Sequence, residues 1–516
     1  MFSFSNKSNF IFSNSTSNLF LLSLSFLLET IIYTLAGTFI GFLLAITTSF
    51  LSNKSFNNRY FSFIFKQILI ILRSIPELTF ILLFTQLFDS RLAMLLIFVW
   101  FTWLWLHKYY LEILNNINWK NYYFKLALTN NKLKIFKNDI LPRVSNRFFA
   151  LFLYSFESNA RWSSILSMLG LGGIGSLISF ATKTTFRFNQ LAIPLVILII
   201  FIIFLELINY LFNLFLYEIK SKKNKFEQTL LKIKNTDFIN WKLIIKNLIL
   251  LFCLIITIYA IATINFRVLN TQSLNDYLKA FFNPDWNVFN IKLFDINTNP
   301  FLQLIQSFSF AFFISFIALG ITLLFLPYYS KIITNPFLTF INRSINASFR
   351  TIPTIVFFFI LNPLFLSSLT LLIIILIIKL SSTFLKKCWE MIDKFDPKKY
   401  LLLKSKGMSK FKIYWLYLIP FIKYELISLF LLYFEISFRN SITYSILTGN
   451  DLALGYNINY YFNSKDFDLN KAFAFVWIAT FAILSINYLN NFLIWKLKTR
   501  KNINFSNKKN IFVFIS

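Results

Sequence analysis

The chain is 516 residues long, 57% hydrophobic and only 14% charged, with a mean hydropathy of +0.63 and 69 phenylalanines. Soluble domains carry roughly 45–50% apolar and about 25% charged residues, so a water-soluble globule is excluded and an all-α polytopic membrane protein is expected. One histidine (His107) and two cysteines (Cys253, Cys388) exclude a His/Cys metal site, a redox pair and a disulfide framework; the net charge of +30 lies in short clusters between apolar runs, not on a basic domain fit for nucleic acid.

A helix needs about 20 apolar residues to cross a hydrocarbon core of roughly 30 Å. Eleven runs qualify, at about 24–50, 61–88, 92–108, 148–167, 191–217, 241–262, 302–327, 348–365, 367–385, 413–434 and 471–495. The fourth is interrupted by Glu157 and Arg161, the eighth by Pro353. A single basic residue, Lys7, precedes the first run, which reads as a retained span rather than a cleaved signal. Loop charge orients the helices, because Lys and Arg accumulate on the cytoplasmic side. Segment 109–147 holds seven basic residues against two acids, 386–412 nine against three and 218–242 seven against three, whereas 263–300 is balanced at three and three. This alternation implies a multi-pass protein of the cell membrane with its N-terminus outside and its C-terminus cytoplasmic.

Two stretches repeat. Glu157 and Arg161 in Phe156–Arg161 meet Glu435 and Arg439 in Phe434–Arg439 at an offset of 278. Pro142 meets Pro420, and Glu112 meets Glu390, at the same offset; Arg73-Ser74-Ile75-Pro76 meets Arg350-Thr351-Ile352-Pro353 at 277. Four ordered matches that include intramembrane charge and proline indicate a duplication. If helices 1–5 recur as 7–11, the sixth helix (241–262) makes the separation even, so the halves are parallel, unlike the inverted repeats of many secondary transporters.

Each half thus carries a carboxylate and a guanidinium on one helical face inside an apolar span. A charge at the bilayer centre costs about 2.5–3.5 kcal/mol on insertion scales, and pairing offsets part of it. Two compatible readings stand: an ion pair that fastens helices, or a polar path in which Arg161 and Arg439 meet an anionic solute. Pro76 and Pro353 each remove a backbone donor, kink their helices and are gating candidates. Arg73 and Arg350 read as cytoplasmic-end side chains that snorkel to headgroups.

Gly170, Gly172 and Gly175 satisfy G-x-G-x-x-G, but a membrane helix precedes them where a nucleotide site needs a strand. With Gly173 they read as a bend or a close-packing point at the external mouth. None of the ten glycines sits in a phosphate-binding G-x-x-x-x-G-K-[ST] loop, so ATP-driven work must come from another polypeptide. An amphipathic stretch precedes each proline of the repeat. In the second half Gly407 lies thirteen residues before Pro420 among Lys404, Lys406, Lys410 and Lys412, which a solvated basic loop would also explain.

The Gly-x12-Pro spacing resembles the cytoplasmic coupling loop of ABC-importer permeases. "LRSIPEL" (72–78), "YLEILNNIN" (110–118), "DILPRV" (139–144), "FESNAR" (156–161) and "LGLGGIG" (169–175) are together similar to the phosphonate-type subgroup, and "FRTIPT" (349–354), "GMSKFKIYWLYLIP" (407–420) and "FEISFRNS" (434–441) repeat the likeness. It covers roughly 25–220 and 241–500, and implies two parallel permease bundles fused in one chain. The domains it implies are a first half at 1–220 with coupling loop 109–147, a linker at 221–300, a second half at 301–500 with coupling loop 386–412, and a tail at 501–516.

The resemblance further implies a cytoplasmic ATPase dimer that carries the ATP and docks near Ala127, Thr129, Lys134 and Pro142 and near Ser405, Gly407, Lys410 and Pro420. It implies an extracellular substrate-binding protein or lipoprotein, membrane lipid as surroundings, and no cofactor in the chain itself. The pathway would be lined or gated by the repeated Glu–Arg pairs, the two bend prolines and the glycine cluster. Departures bear on docking and substrate. Thr129 replaces the loop glycine of the first half, Tyr123 and Leu401 occupy the family's glutamate position, and Leu447–Asp451 lacks the glycine cluster. The solute then ranges over phosphonate, inorganic phosphate and a larger phosphorylated compound such as a thiamine phosphate. A stand-alone secondary transporter or channel is the alternative; a scaffold or lipid-modifying enzyme is a further one, and no catalytic constellation supports the enzyme.

Overall fold

A computed structural model describes residues 18–129, 131–166, 171–182, 190–212, 241–266, 271–289, 295–463 and 468–513. Every regular element among them is a helix, as expected. Gly170 and most of the basic segment 218–242 lie outside the described residues.

Among the described residues seven helices are long and apolar enough to cross a bilayer, and counting each of two bent pairs as one span gives nine. The other two expected spans fall on Leu141–Leu166, whose apolarity is diluted by Glu157, Asn159 and Arg161, and on Ala192–Phe212. The eighth span begins earlier than its apolar run. Its first part, Pro336–Thr351, is amphipathic and carries Arg343 and Arg350.

The chain forms two compact units: Met1–Arg73 with Phe80–Thr271, and Ser74–Thr79 with Gln272–Ser516. In the first, helix Leu19–Leu51 is the hub, packed on Ser90–Asn115, Leu141–Leu166 and Ala192–Phe212. Asn18 starts it by accepting the Phe20 N–H at 3.0 Å. The joining helix Trp241–Thr263 also belongs to this unit; Cys253 and Ala260 enter its core, and the Tyr33 hydroxyl meets Thr263 at 3.1 Å.

Close packing here depends on a small-residue pair. A Cβ on Gly37 would stand 2.7 Å from the Phe98 Cβ and 2.8 Å from the Leu95 carbonyl, and one on Gly41 would stand 2.7 Å from the Thr102 Cβ. One turn apart, the two glycines let Leu19–Leu51 seat its backbone on Ser90–Asn115, which is how helices associate where lipid removes the hydrophobic driving force.

In the second unit Pro300–Tyr329 packs on Ser368–Ile392 and Ile419–Thr448. Asn299 caps it, accepting from Phe301 and Leu302. Here Ile314 and Ala318 occupy the places of Gly37 and Gly41, at offset 277, and both are buried. Among the described residues the repeated parts of the two units run in the same order: long helix, bent pair, long helix, short helix, one-turn helix, wide turn, long helix, short helix, final helix; Trp241–Thr263 is additional to the first unit, and Thr271–Phe282 with Trp286–Phe289 to the second.

Replacing Gly41 by Leu must push the two helices apart, and overpacking costs about 1–3 kcal/mol. We therefore expect Gly41→Leu to lower the unfolding midpoint of the detergent-solubilised protein. Gly320→Ala, which adds a Cβ with nothing within 4 Å in a helix interior, should hold or raise it.

Candidate functional site

Each half carries a short helix, a turn and a wide π-type turn ahead of a long helix. In the first half these are Lys120–Thr129, Lys132–Ile135 and Phe136–Ile140, followed by Leu141–Leu166. The second half repeats them as Pro397–Ser405, Lys410–Ile413 and Tyr414–Leu418, followed by Ile419–Thr448. In both, the residue after the wide turn donates its N–H five residues back, Leu141 to Phe136 and Ile419 to Tyr414. Pro142 and Pro420 follow directly. Proline lacks the donor an α-helical ladder needs, and a widened turn accommodates that gap.

The repeat extends to the side chains that anchor these loops. Tyr122 and Tyr400 stand at offset 278 and are 1% and 6% exposed. Burial holds both phenols above their ordinary pKa, so they remain neutral. Ile135 and Ile413, Ile140 and Leu418, and Val144 and Ile422 are buried pairwise at the same offset.

The docking candidates Ala127, Lys134, Pro142, Ser405, Gly407, Lys410 and Pro420 are all exposed. Thr129 ends its helix. Gly407 has φ +77°, its N–H donates to the Lys404 carbonyl at 3.0 Å, and the Met408 N–H donates to the Leu403 carbonyl at 3.3 Å. This is a Schellman C-terminus, and the left-handed residue in it selects glycine. Ser409 caps the next helix by accepting from Lys412. Around the lysines lie exposed apolar side chains: Tyr123, Phe124 and Leu128 in the first half, Leu401, Leu402 and Phe411 in the second. Phe124 is 70% and Phe411 73% exposed.

The two loops differ in what braces them. Asp139, buried, binds Lys125 at 2.9 Å and Arg143 at 2.8 Å. Leu403, Tyr417 and Phe421 hold the matching places in the second half. Conversely, Arg343 binds Asp393 at 2.8 Å and the Tyr329 carbonyl at 2.6 Å and stacks over Trp389; the first half has Lys66 and Asn115 there.

Both expected ion pairs form. Arg161 binds Glu157, and Arg439 binds Glu435 at 2.9 Å, with the carboxylates 6% and 8% exposed. A polar seam accompanies each. Asn159 donates to Thr38 at 3.0 Å and Thr102 at 2.7 Å; in the second half Ser437 meets Ser315 at 3.4 Å. The Glu–Arg pairs lie on the long helices Leu141–Leu166 and Ile419–Thr448, one in each unit, whose first turns carry Pro142 and Pro420; the other docking candidates precede those helices.

Pro76 and Pro353 break their spans outright. Helices Arg59–Ser74 and Glu77–Leu87 meet at 78°, and Pro336–Arg350 and Thr354–Leu364 at 81°. Arg73 and Arg350 occupy the last turn before each break, where the helix dipole favours a cation. They thus sit at the bend within each pair. Lys379 adds a second cation, donating to the Arg350 carbonyl at 3.2 Å. Pro76 belongs to the second unit, where neighbouring Glu77 lies within electrostatic reach of Arg439.

The described glycines of the cluster have packing roles. Gly173 turns the chain at φ +90° against the Thr30 side chain, whose hydroxyl accepts the Ile174 N–H at 3.0 Å, and a Cβ on Gly172 would lie 2.8 Å from the Ser90 hydroxyl. Gly175 is buried in helix Ile174–Thr182. In the second half Gly449, at φ +61°, ends helix Ile419–Thr448. Among the described residues no group of three or more His, Cys, Asp or Glu could hold a metal ion.

Two helical units of one plan, each with a wide-turn loop and an intramembrane ion pair, define a duplicated membrane permease. The chain belongs to the family of binding-protein-dependent transport system inner membrane components, which matches at residues 37–222 and again at 324–500. It is 30% identical over 472 residues to the "ABC transport system permease protein p69" of Mycoplasma genitalium, covering 89% of this chain and 84% of that protein. The protein of the same name from Mycoplasma pneumoniae is 27% identical over 444 residues, covering 86% and 80%. No solved structure matches the chain. The protein is thus a permease subunit of an ABC transport system.

Truncating one partner of a buried pair leaves an uncompensated charge, at a cost of about 3–5 kcal/mol, whereas replacing both is often neutral. Arg439→Ala should lower stability sharply, and Glu435→Gln with Arg439→Met should restore most of it, as read by thermal unfolding in detergent. Equal loss in the single and double variants would show that the pair does not matter as a pair.

Proposed function

We propose that this permease forms the translocation pathway of an ATP-driven importer for a small phosphorylated anion, of the phosphonate or phosphate class. The observation that carries the importer reading is the twofold loop with its wide turn, exposed apolar side chains and surrounding lysines. A pair of cytoplasmic ATPase subunits docks there, with Leu401, Leu402 and Phe411 entering a groove that Tyr123, Phe124 and Leu128 enter on the other side. Tyr123 and Leu401 stand where the family carries a glutamate, so contact at that point is apolar. ATP hydrolysis moves the loops, and the long helices entered through the wide turns transmit the motion to the pathway.

Arg161 and Arg439 support an anionic solute. Each is already neutralised by its glutamate, so an anion entering the path joins or displaces a carboxylate and is released when the pair re-forms. A secreted or lipid-anchored binding protein delivers the solute. The N-terminus faces outside, the C-terminus the cytoplasm, and the domain limits follow the repeat at 1–220 and 301–500.

The test is uptake into proteoliposomes holding the permease, its ATPase and its binding protein, with labelled phosphonate, phosphate and thiamine phosphate as probes. ATP-dependent uptake of one of them is expected. Uptake driven by an ion gradient without the ATPase would instead establish a secondary transporter. Phe411→Asp should abolish ATP hydrolysis stimulated by the loaded binding protein while leaving the unfolding midpoint unchanged. For orientation, a cysteine replacing Asp285 should react with an impermeant maleimide from outside, and one replacing Lys406 should not.

A further inference from the structure

Between the two repeats lies a segment with no counterpart among the described residues of the first half: helix Thr271–Phe282, followed by the short turn Trp286–Phe289. It belongs to the second unit and is held against the final helix. Tyr277 stacks on Phe462 at 5.9 Å, Phe281 meets the Phe473 and Trp477 rings, and Trp477 Nε1 donates to the Phe281 carbonyl at 2.9 Å. The Asp285 N–H donates to the Asn470 carbonyl at 3.0 Å.

Those two hydrogen bonds fix the depth of the segment. Asn470 lies in the first turn of the span Leu469–Lys496, beside the Lys471–Asp468 ion pair, while Trp477 is about 10 Å further in at 1.5 Å per residue. Phe281 is therefore tied about two turns inside the polar end of a membrane span.

Around this helix the side chains fall into three sectors. At about 100° per residue, with Leu274 as origin, Leu278 and Phe282 follow at about 40° and 80°. Asn275, Lys279, Asn283 and Asp276 occupy about 100–200°, and Tyr277, Ala280 and Phe281 about 240–340°. The third sector is the packed face. The first is exposed, with Leu274, Leu278 and Phe282 at 37%, 51% and 80% and nearby Trp286 at 47%. A helix bathed only in water would not separate its exposed surface into an apolar and a polar strip.

We infer that helix Thr271–Phe282 lies in the water–lipid boundary of the bilayer, with Leu274, Leu278 and Phe282 among the upper acyl chains and Lys279 at the phosphate headgroups. Segregated faces on a helix of low net hydrophobicity mark such an interfacial element. Lys279 follows the same logic: its aliphatic stem borders the apolar strip while its ammonium reaches the headgroup level. Trp286 joins the layer that indole rings favour.

The experiment uses the full chain in nanodiscs of phosphatidylcholine and phosphatidylglycerol, with Cys253 and Cys388 replaced by alanine. Single cysteines at positions 274, 278 and 282, and in a second set at 275, 279 and 283, carry nitroxide spin labels. Relaxation by oxygen, which concentrates in lipid, should exceed relaxation by a water-soluble nickel chelate severalfold in the first set. The ratio should invert in the second. Equal preference for the nickel chelate in both sets would overturn the inference. So would protection of the first set from both reagents, which would mean that protein covers the strip. Three positions per set keep the reading independent of any one variant that fails to insert.

Discussion

An ion pair sealed inside apolar helices constrains both halves of this permease. Glu157 with Arg161 and Glu435 with Arg439 each sit one helical turn apart, the carboxylates buried and the guanidiniums partly so. Neither charge is tolerable in such surroundings without its partner, and neither is tolerable facing lipid, so each helix must keep its charged face toward the bundle interior. The seam of hydroxyl and amide groups beside each pair extends the same constraint. Asn159 ties Leu141–Leu166 to two neighbouring helices at once, while Ser437 ties its counterpart to one.

The copies diverge further in how the hub helix is seated and how the loops are braced. The first half seats its hub helix through Gly37 and Gly41; the second fills the same places with Ile314 and Ala318. The first braces its loop with a carboxylate between two cations, and the second braces the approach to its loop through Arg343, Asp393 and Trp389. In a permease of two identical subunits every such change would occur twice. A single chain lets each copy change alone, and the two loops have moved toward different chemistry while keeping the wide turn and the buried tyrosine.

Much of this was legible in the sequence, for identifiable reasons. Apolar runs marked the spans because lipid permits little else, and the duplication showed itself in charges and prolines too rare in a membrane to recur by accident. The bends were legible as breaks at Pro76 and Pro353, but not their angles of 78° and 81°, which no proline specifies. Arg73 and Arg350 were legible as helix-end residues, and each occupies the last turn before its bend. The anchors Tyr122 and Tyr400 were hidden among 23 tyrosines and 69 phenylalanines, although the offset of 278 would have found them. The G-x-x-x-G of Gly37 and Gly41 was there to be read. The wide turns were not: a hydrogen bond that reaches five residues back leaves no trace in composition.

Those turns also set the phase of everything downstream. Each holds one residue more than an α-helical turn would, and Leu141–Leu166 and Ile419–Thr448 begin directly after them. If one such turn tightened to regular α geometry, the helix beyond it would revolve by about 100° relative to its loop. Its buried glutamate and arginine would swing from one neighbour toward another. The surplus residue is thus a built-in phase offset between the wide-turn loops and the charged centre of each bundle.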